Sequence, residues 1–135
     1  MGNYYKYTKG LGNVNSYKIS GIPYATGSIT VEASTGGTPT RVEFPNVTKF
    51  VTVQNEDAGG TIRVGFSEAG VTGSINNYYG TVGAQKSITF DVRVKEIYLL
   101  ADGGSAIDNV SVVAGLTGIS NIELPTNWSG SVGVL

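Results

Sequence analysis

Apolar residues on every second position, in short runs closed by turn formers, limit the fold of this chain more than any other feature. Ile29, Val31 and Ala33 share one face of the first run, and Ser34-Thr35-Gly36-Gly37-Thr38-Pro39 closes it. Val42 and Phe44 mark a second run, ended by Pro45-Asn46, and Val51 and Val53 a third, followed by Asn55-Glu56-Asp57-Ala58-Gly59-Gly60. Ile62, Val64 and Phe66 alternate with Thr61, Arg63 and Gly65. Beyond a turn-rich stretch from Ser67 to Gln85 come Ile88, Phe90, Val92 and Val94, then Ile97 and Leu99, then Val110, Val112 and Ala114. A period of two is that of a strand with one face buried. No segment longer than 10 residues carries apolar positions at helical spacing without a Gly or Pro inside it. The pattern predicts seven or eight short strands, little or no helix, and an all-β antiparallel sandwich.

A shift of 46 residues sets Val42, Phe44, Lys49, Val51, Val53, Val64 and Phe66 on Ile88, Phe90, Lys95, Ile97, Leu99, Val110 and Val112. Two similar groups of strands are what two facing Greek-key units require. Alternating valines also match one another at other even shifts, so the fold class does not rest on the repeat.

Composition agrees with the strands and narrows the chemistry. Gly accounts for 20 of 135 residues and charged residues for only 14%, against roughly 25% charged in an average domain, which disfavours a helical bundle. The length is that of one domain with one modest core. With Cys 0 and His 0 there is no disulfide framework, no thiolate metal site, and none of the commonest general base. A net charge of −1 supplies no basic field for nucleic acid. No apolar run approaches the roughly 18 residues of a membrane span, and Met1 to Tyr7 is too polar for a signal peptide. Neither nucleic acid nor membrane is therefore expected as a partner.

Residues 1–27 differ from the rest. They hold Tyr4, Tyr5, Tyr7, Tyr17 and Tyr24, five of the eight tyrosines, together with Lys6, Lys9 and Lys18 and no acid. Glycines and Pro23 punctuate them, and no strand or helix period persists. The segment reads as an extended N-terminal arm, with the sandwich over 28–120 and a C-terminal tail over 121–135. Residues 96–135 carry −4 from Glu96, Asp102, Asp108 and Glu123, so the two ends of the sequence differ in sign and can attract each other, within one subunit or between neighbours, the alternative being a chance scatter of few charges. Tyrosine buries a large area for little side-chain entropy, so five in one arm imply a surface to lie on. Trp128, in Pro125-Thr126-Asn127-Trp128-Ser129-Gly130, is a candidate anchor for the tail.

Tests for chemistry return little. Ser67 in Gly65-Phe66-Ser67-Glu68-Ala69-Gly70 resembles a nucleophile elbow but has Ala69 where Gly is needed, and no histidine is present to take its proton. Glu56 with Asp57, or Glu43 with Glu96, are the carboxylate pairs a glycosidase would use. Asp102-Gly103-Gly104-Ser105-Ala106-Ile107-Asp108-Asn109 offers oxygen ligands for calcium but lacks the alternating acids and closing Glu of an EF-hand, so a plain turn is the preferred reading. No enzyme, no cofactor and no metal is expected. Asn76, Asn77, Tyr78 and Tyr79, with Trp128, form the alternative site, because aromatic faces and amides suit a glycan.

Several phrases resemble small virion structural proteins of aquatic tailed bacteriophages. They are Gly10-Leu11-Gly12-Asn13-Val14, Ser20-Gly21-Ile22-Pro23-Tyr24-Ala25-Thr26-Gly27-Ser28, Val42-Glu43-Phe44-Pro45-Asn46-Val47-Thr48-Lys49, Arg63-Val64-Gly65-Phe66-Ser67 and Val113-Ala114-Gly115-Leu116-Thr117-Gly118-Ile119. The resemblance implies a jelly-roll capsid decoration or cement protein, or a minor capsid protein, located in the virion and assembled in the host cytoplasm. It implies the major capsid protein and sister subunits as partners, and a homo-oligomer, with a trimer favoured. It assigns no residue a fixed chemical role. The chain is short for the shell protein of a tailed phage, which favours an accessory part. The alternatives are a carbohydrate- or receptor-binding module of a fibre or spike, and a tail or baseplate subunit.

Overall fold

The computed structural model describes residues 21–72 and 80–123. Within them the alternating runs become β1 (Ile22–Val31), β2 (Thr40–Glu43), β3 (Asn46–Asn55), β4 (Ile62–Gly65), β5 (Gly80–Val82), β6 (Lys86–Phe90), β7 (Glu96–Ala101) and β8 (Ile107–Ser120). A five-residue helix, α1 (Glu68–Thr72), follows β4, and a 3-10 turn at Asn121–Glu123 follows β8.

The strands form two antiparallel sheets in the orders β1-β8-β3-β6 and β2-β7-β4-β5. Every connection but β4 to β5 crosses from one sheet to the other, which is the winding of a jelly roll, two Greek keys closed face to face. The 46-residue repeat maps onto this symmetry. It carries β2, β3 and β4 onto β6, β7 and β8, so each strand lands at the matching place in the opposite sheet. At the crossing point Thr48 meets Val94, its own equivalent. Thr48 N donates to the Val94 carbonyl at 3.0 Å, and Val94 N donates to Thr48 Oγ1 at 3.0 Å.

Between the sheets lie the inward positions of both, including Val31, Phe44, Val51, Val53, Ile62, Val64, Ile97, Leu99, Val110 and Val112, all buried. Each such side chain contributes about 1.5–3 kcal/mol relative to exposure. Phe44 and Phe90, equivalent under the repeat, each take an aromatic ring edge-on, Tyr24 at 5.1 Å and Phe66 at 5.8 Å between centroids. Among the described residues no buried side-chain nitrogen or oxygen lacks a hydrogen-bond partner, as a dry core requires.

The boundary at residue 28 that the sequence suggests falls inside β1. Residues 22–27 belong to β1, paired with β8 from Ile22↔Leu116 to Thr26↔Val112. Pro23 is tolerated because β1 is an edge strand. Gly27 and Ser28 (φ 54°) sit at a shift of register, and that irregularity breaks the alternation on which the sequence boundary at residue 28 depends. β5, only three residues long, is hidden in the turn-rich stretch.

Candidate functional site: two outer faces and the chain ends

The two sheets turn different chemistry outward. On the β2-β7-β4-β5 sheet, Arg41 is bound to both Glu43 and Glu96, and Tyr98 donates to Glu96 Oε2 at 3.3 Å. Its hydrogen bond to Glu96 is the main reason the Arg41 guanidinium is pushed further up. Burial raises the Tyr98 phenol, and the Glu96 charge raises it again. Arg63 Nε reaches Asp102 Oδ1 at 2.7 Å and its Nη1 donates to the Val71 carbonyl at 2.9 Å. Helix α1 lies over β4 and β7, with Val71 buried. This face is charged, covered in part and internally satisfied.

The β1-β8-β3-β6 sheet presents three neighbouring rows with no charge in them. They run Pro23, Gly115, Phe50; then Ala25, Val113, Thr52, Thr89; then Gly27, Ser111, Gln54, Ser87. The polar members bind each other: Thr52 and Thr89 share a hydrogen bond of 2.8 Å, and Ser111 donates to Gln54 Oε1 at 3.1 Å. Phe50 lies on Gly115 so closely that a Cβ there would be 2.4 Å from Phe50 Cε1. Depletion of charge is what marks the centre of a protein contact surface.

Both chain ends leave beside this sheet. β1 starts and β8 finishes at the same end, on adjacent strands. The two exposed large apolar side chains among the described residues mark the exits, Ile22 at 52% and Ile122 at 84%. The end of β8 is tied down first: Asn121 Nδ2 donates to the Phe44 carbonyl at 3.0 Å, Asn121 N to the Pro45 carbonyl at 3.1 Å, and Asn46 Nδ2 to the Thr117 carbonyl at 2.7 Å. The tail therefore departs from a fixed point.

Of the contact residues expected from sequence, Tyr24 alone is described. It is half-buried, its ring on Phe44 and its hydroxyl 3.5 Å from the Glu43 carbonyl, so it joins the two sheets. Tyr4, Tyr5, Lys6, Tyr7, Lys9, Tyr17, Lys18 and Trp128, and the glycan candidates Asn76, Asn77, Tyr78 and Tyr79, lie outside the described residues. Ser67 is buried and caps α1, its Oγ accepting from Gly70 N at 3.0 Å. Glu43 and Glu96 share Arg41, and Asp57 closes its own turn by accepting from Gly59 N at 3.1 Å. Asp102 is paired with Arg63, and Asp108 accepts from Thr30 Oγ1 at 3.0 Å. Among the described residues, no three such side chains converge in a way that holds a metal ion.

The uncharged outer rows were not singled out from sequence, although the signal was there. The positions between the core valines read Thr52 and Gln54, Ser87 and Thr89, Ser111 and Val113 in one sheet, but Arg41 and Glu43, Arg63, Glu96 and Tyr98 in the other. No protein-family model and no curated protein matches the chain.

Proposed function

We propose that the protein is a virion structural subunit, a capsid decoration or cement protein or a minor capsid component, which stabilises a phage head through its arm and tail. The observation that carries the reading is a jelly-roll sandwich in which β1 starts and β8 finishes at the same end, beside three uncharged rows of one sheet. A folding unit of this kind is rigid, and segments leaving from one end can reach neighbours without loosening it. The fold alone does not choose a function, since jelly rolls also serve as lectins; the resemblance in sequence phrases tips the choice. The partners are the major capsid protein and sister subunits. Deleting residues 1–20 tests it: the shortened chain folds but no longer co-sediments with heads assembled from the major capsid protein of the same virus. Undiminished co-sedimentation would contradict an arm-mediated role.

A carbohydrate-binding module is the second reading, favoured by a cleft of about 510 Å³ at the opposite end of the sandwich. Asp57, Thr61, Asp102 and Ser105 line it with the backbone of two glycine pairs, a polar set suited to sugar hydroxyls. A glycan array on the intact chain decides, and an array with no binder removes this reading.

A further inference from the structure

Gly21 leaves the line of the ladder at the start of β1. The pairs Ile22↔Leu116 and Pro23↔Gly115 would set Gly21 opposite Thr117 if the ladder continued. Instead a Cβ built on Gly21 would meet the Cα of Gly115 at 2.5 Å and its carbonyl carbon at 2.9 Å. Gly21 therefore stands out of line with the ladder, close against the Gly115 backbone of β8. Gly115 is an outward position, between the core residues Ala114 and Leu116, and the Phe50 ring lies on it.

From that position residues 1–20 are within reach of the three uncharged rows. Four strands span about 14 Å across a sheet, whereas twenty residues extend to about 65 Å, so reach is no obstacle. The chemistry also matches. Thr52, Thr89, Ser111 and Gln54 already satisfy one another, which leaves Pro23, Ala25, Phe50 and Val113 as an apolar patch for aromatic rings. The segment brings Tyr4, Tyr5, Tyr7 and Tyr17, and Gly10 and Gly12 allow close approach of backbone to sheet. Lys6, Lys9 and Lys18 meet no charge in the three rows and can extend their ends to water.

We propose that residues 1–20 dock on the outer face of their own β1-β8-β3-β6 sheet, where they form a third layer over the Phe50–Val113 patch. This docking does not rest on the virion reading, because it is a property of the single chain. The test is native-state trypsin cleavage of the full chain, followed as release of the 1–18 peptide by mass. Thr89→Lys and Ala25→Lys each place a charge in the middle row at an exposed strand position, and circular dichroism confirms that each still folds. Docking predicts that release from the native chain is about tenfold slower than from either variant, since cleavage follows the population of the opened segment. It also predicts a rate that does not change on dilution. Equal release from native and variant chains overturns the docking, and protection that disappears on dilution assigns the face to the arm of a second copy and overturns the own-chain assignment. Should one variant fail to fold, the other carries the comparison.

Discussion

Gly115 is the residue at which sequence and surface depend on each other most directly. Its missing side chain admits the Phe50 ring, and the missing side chain of Gly21 lets that residue lie against the Gly115 backbone. Gly115→Ala is expected to cost about 1–3 kcal/mol through overpacking, read as a lowered urea midpoint, and Phe50→Ala in the same chain restores part of the loss; a neutral single substitution would contradict the packing. Tyr98 supplies a second residue-scale prediction. Burial and the Glu96 charge hold its phenol above the ordinary 10.0 in the folded chain. The unfolded chain therefore loses this proton first. Stability is complete below about pH 10 and falls as pH rises through the folded value, until both states are ionised. Tyr98→Phe should flatten that alkaline decline, measured as the urea midpoint from about pH 9 to about pH 11. An unchanged slope would show that Tyr98 is not its source. Neither residue stands out in the bare sequence, because one is a glycine among 20 and the other a tyrosine among eight.

Strands were legible wherever one face is buried and the other polar, because burial then imposes the period of two. Ile62 and Val64, or Val110 and Val112, show it plainly, and all four are fully buried. β1 was only partly legible, since an edge strand accepts Pro23 and a register shift at Gly27 and Ser28 that a central strand does not. The five-residue α1 is too short for a helical period and is held by the Ser67 cap and by packing on β4 and β7. The repeat was legible as a spacing, and its physical content appears at Thr48. There the two halves cross, and Thr48 Oγ1 donates to the Val92 carbonyl at 2.7 Å while accepting from Val94 N at 3.0 Å. Thr48→Val keeps the shape but leaves both buried partners unsatisfied, so a loss of about 1–3 kcal/mol is expected, seen as a lower thermal midpoint. A midpoint unchanged from the native chain would remove Thr48 from its role as the joint between the halves.

At the scale of the whole molecule, a sandwich with one charged, self-satisfied face and, on the other, three neighbouring uncharged rows is polarised for contact on a single side. The candidate surface was less legible than the fold, because it is assembled from outward positions of four strands that are far apart in sequence and only the register brings into rows. The distinct Tyr and Lys content of the first residues could be read from sequence, but not the uncharged rows of the sheet. Among the described residues the buried cluster runs from Val31 to Leu116, and the chain without residues 1–20 is expected to keep the sandwich. The measurement that bears most directly on the proposed assembly role is the solution mass by light scattering of the full chain and of the chain without residues 1–20, with circular dichroism on both. A full-length trimer or larger species, whose subunits meet through the surface that the docked residues 1–20 complete, and a folded, truncated monomer are expected. The same mass for both folded chains would contradict assembly through the arm.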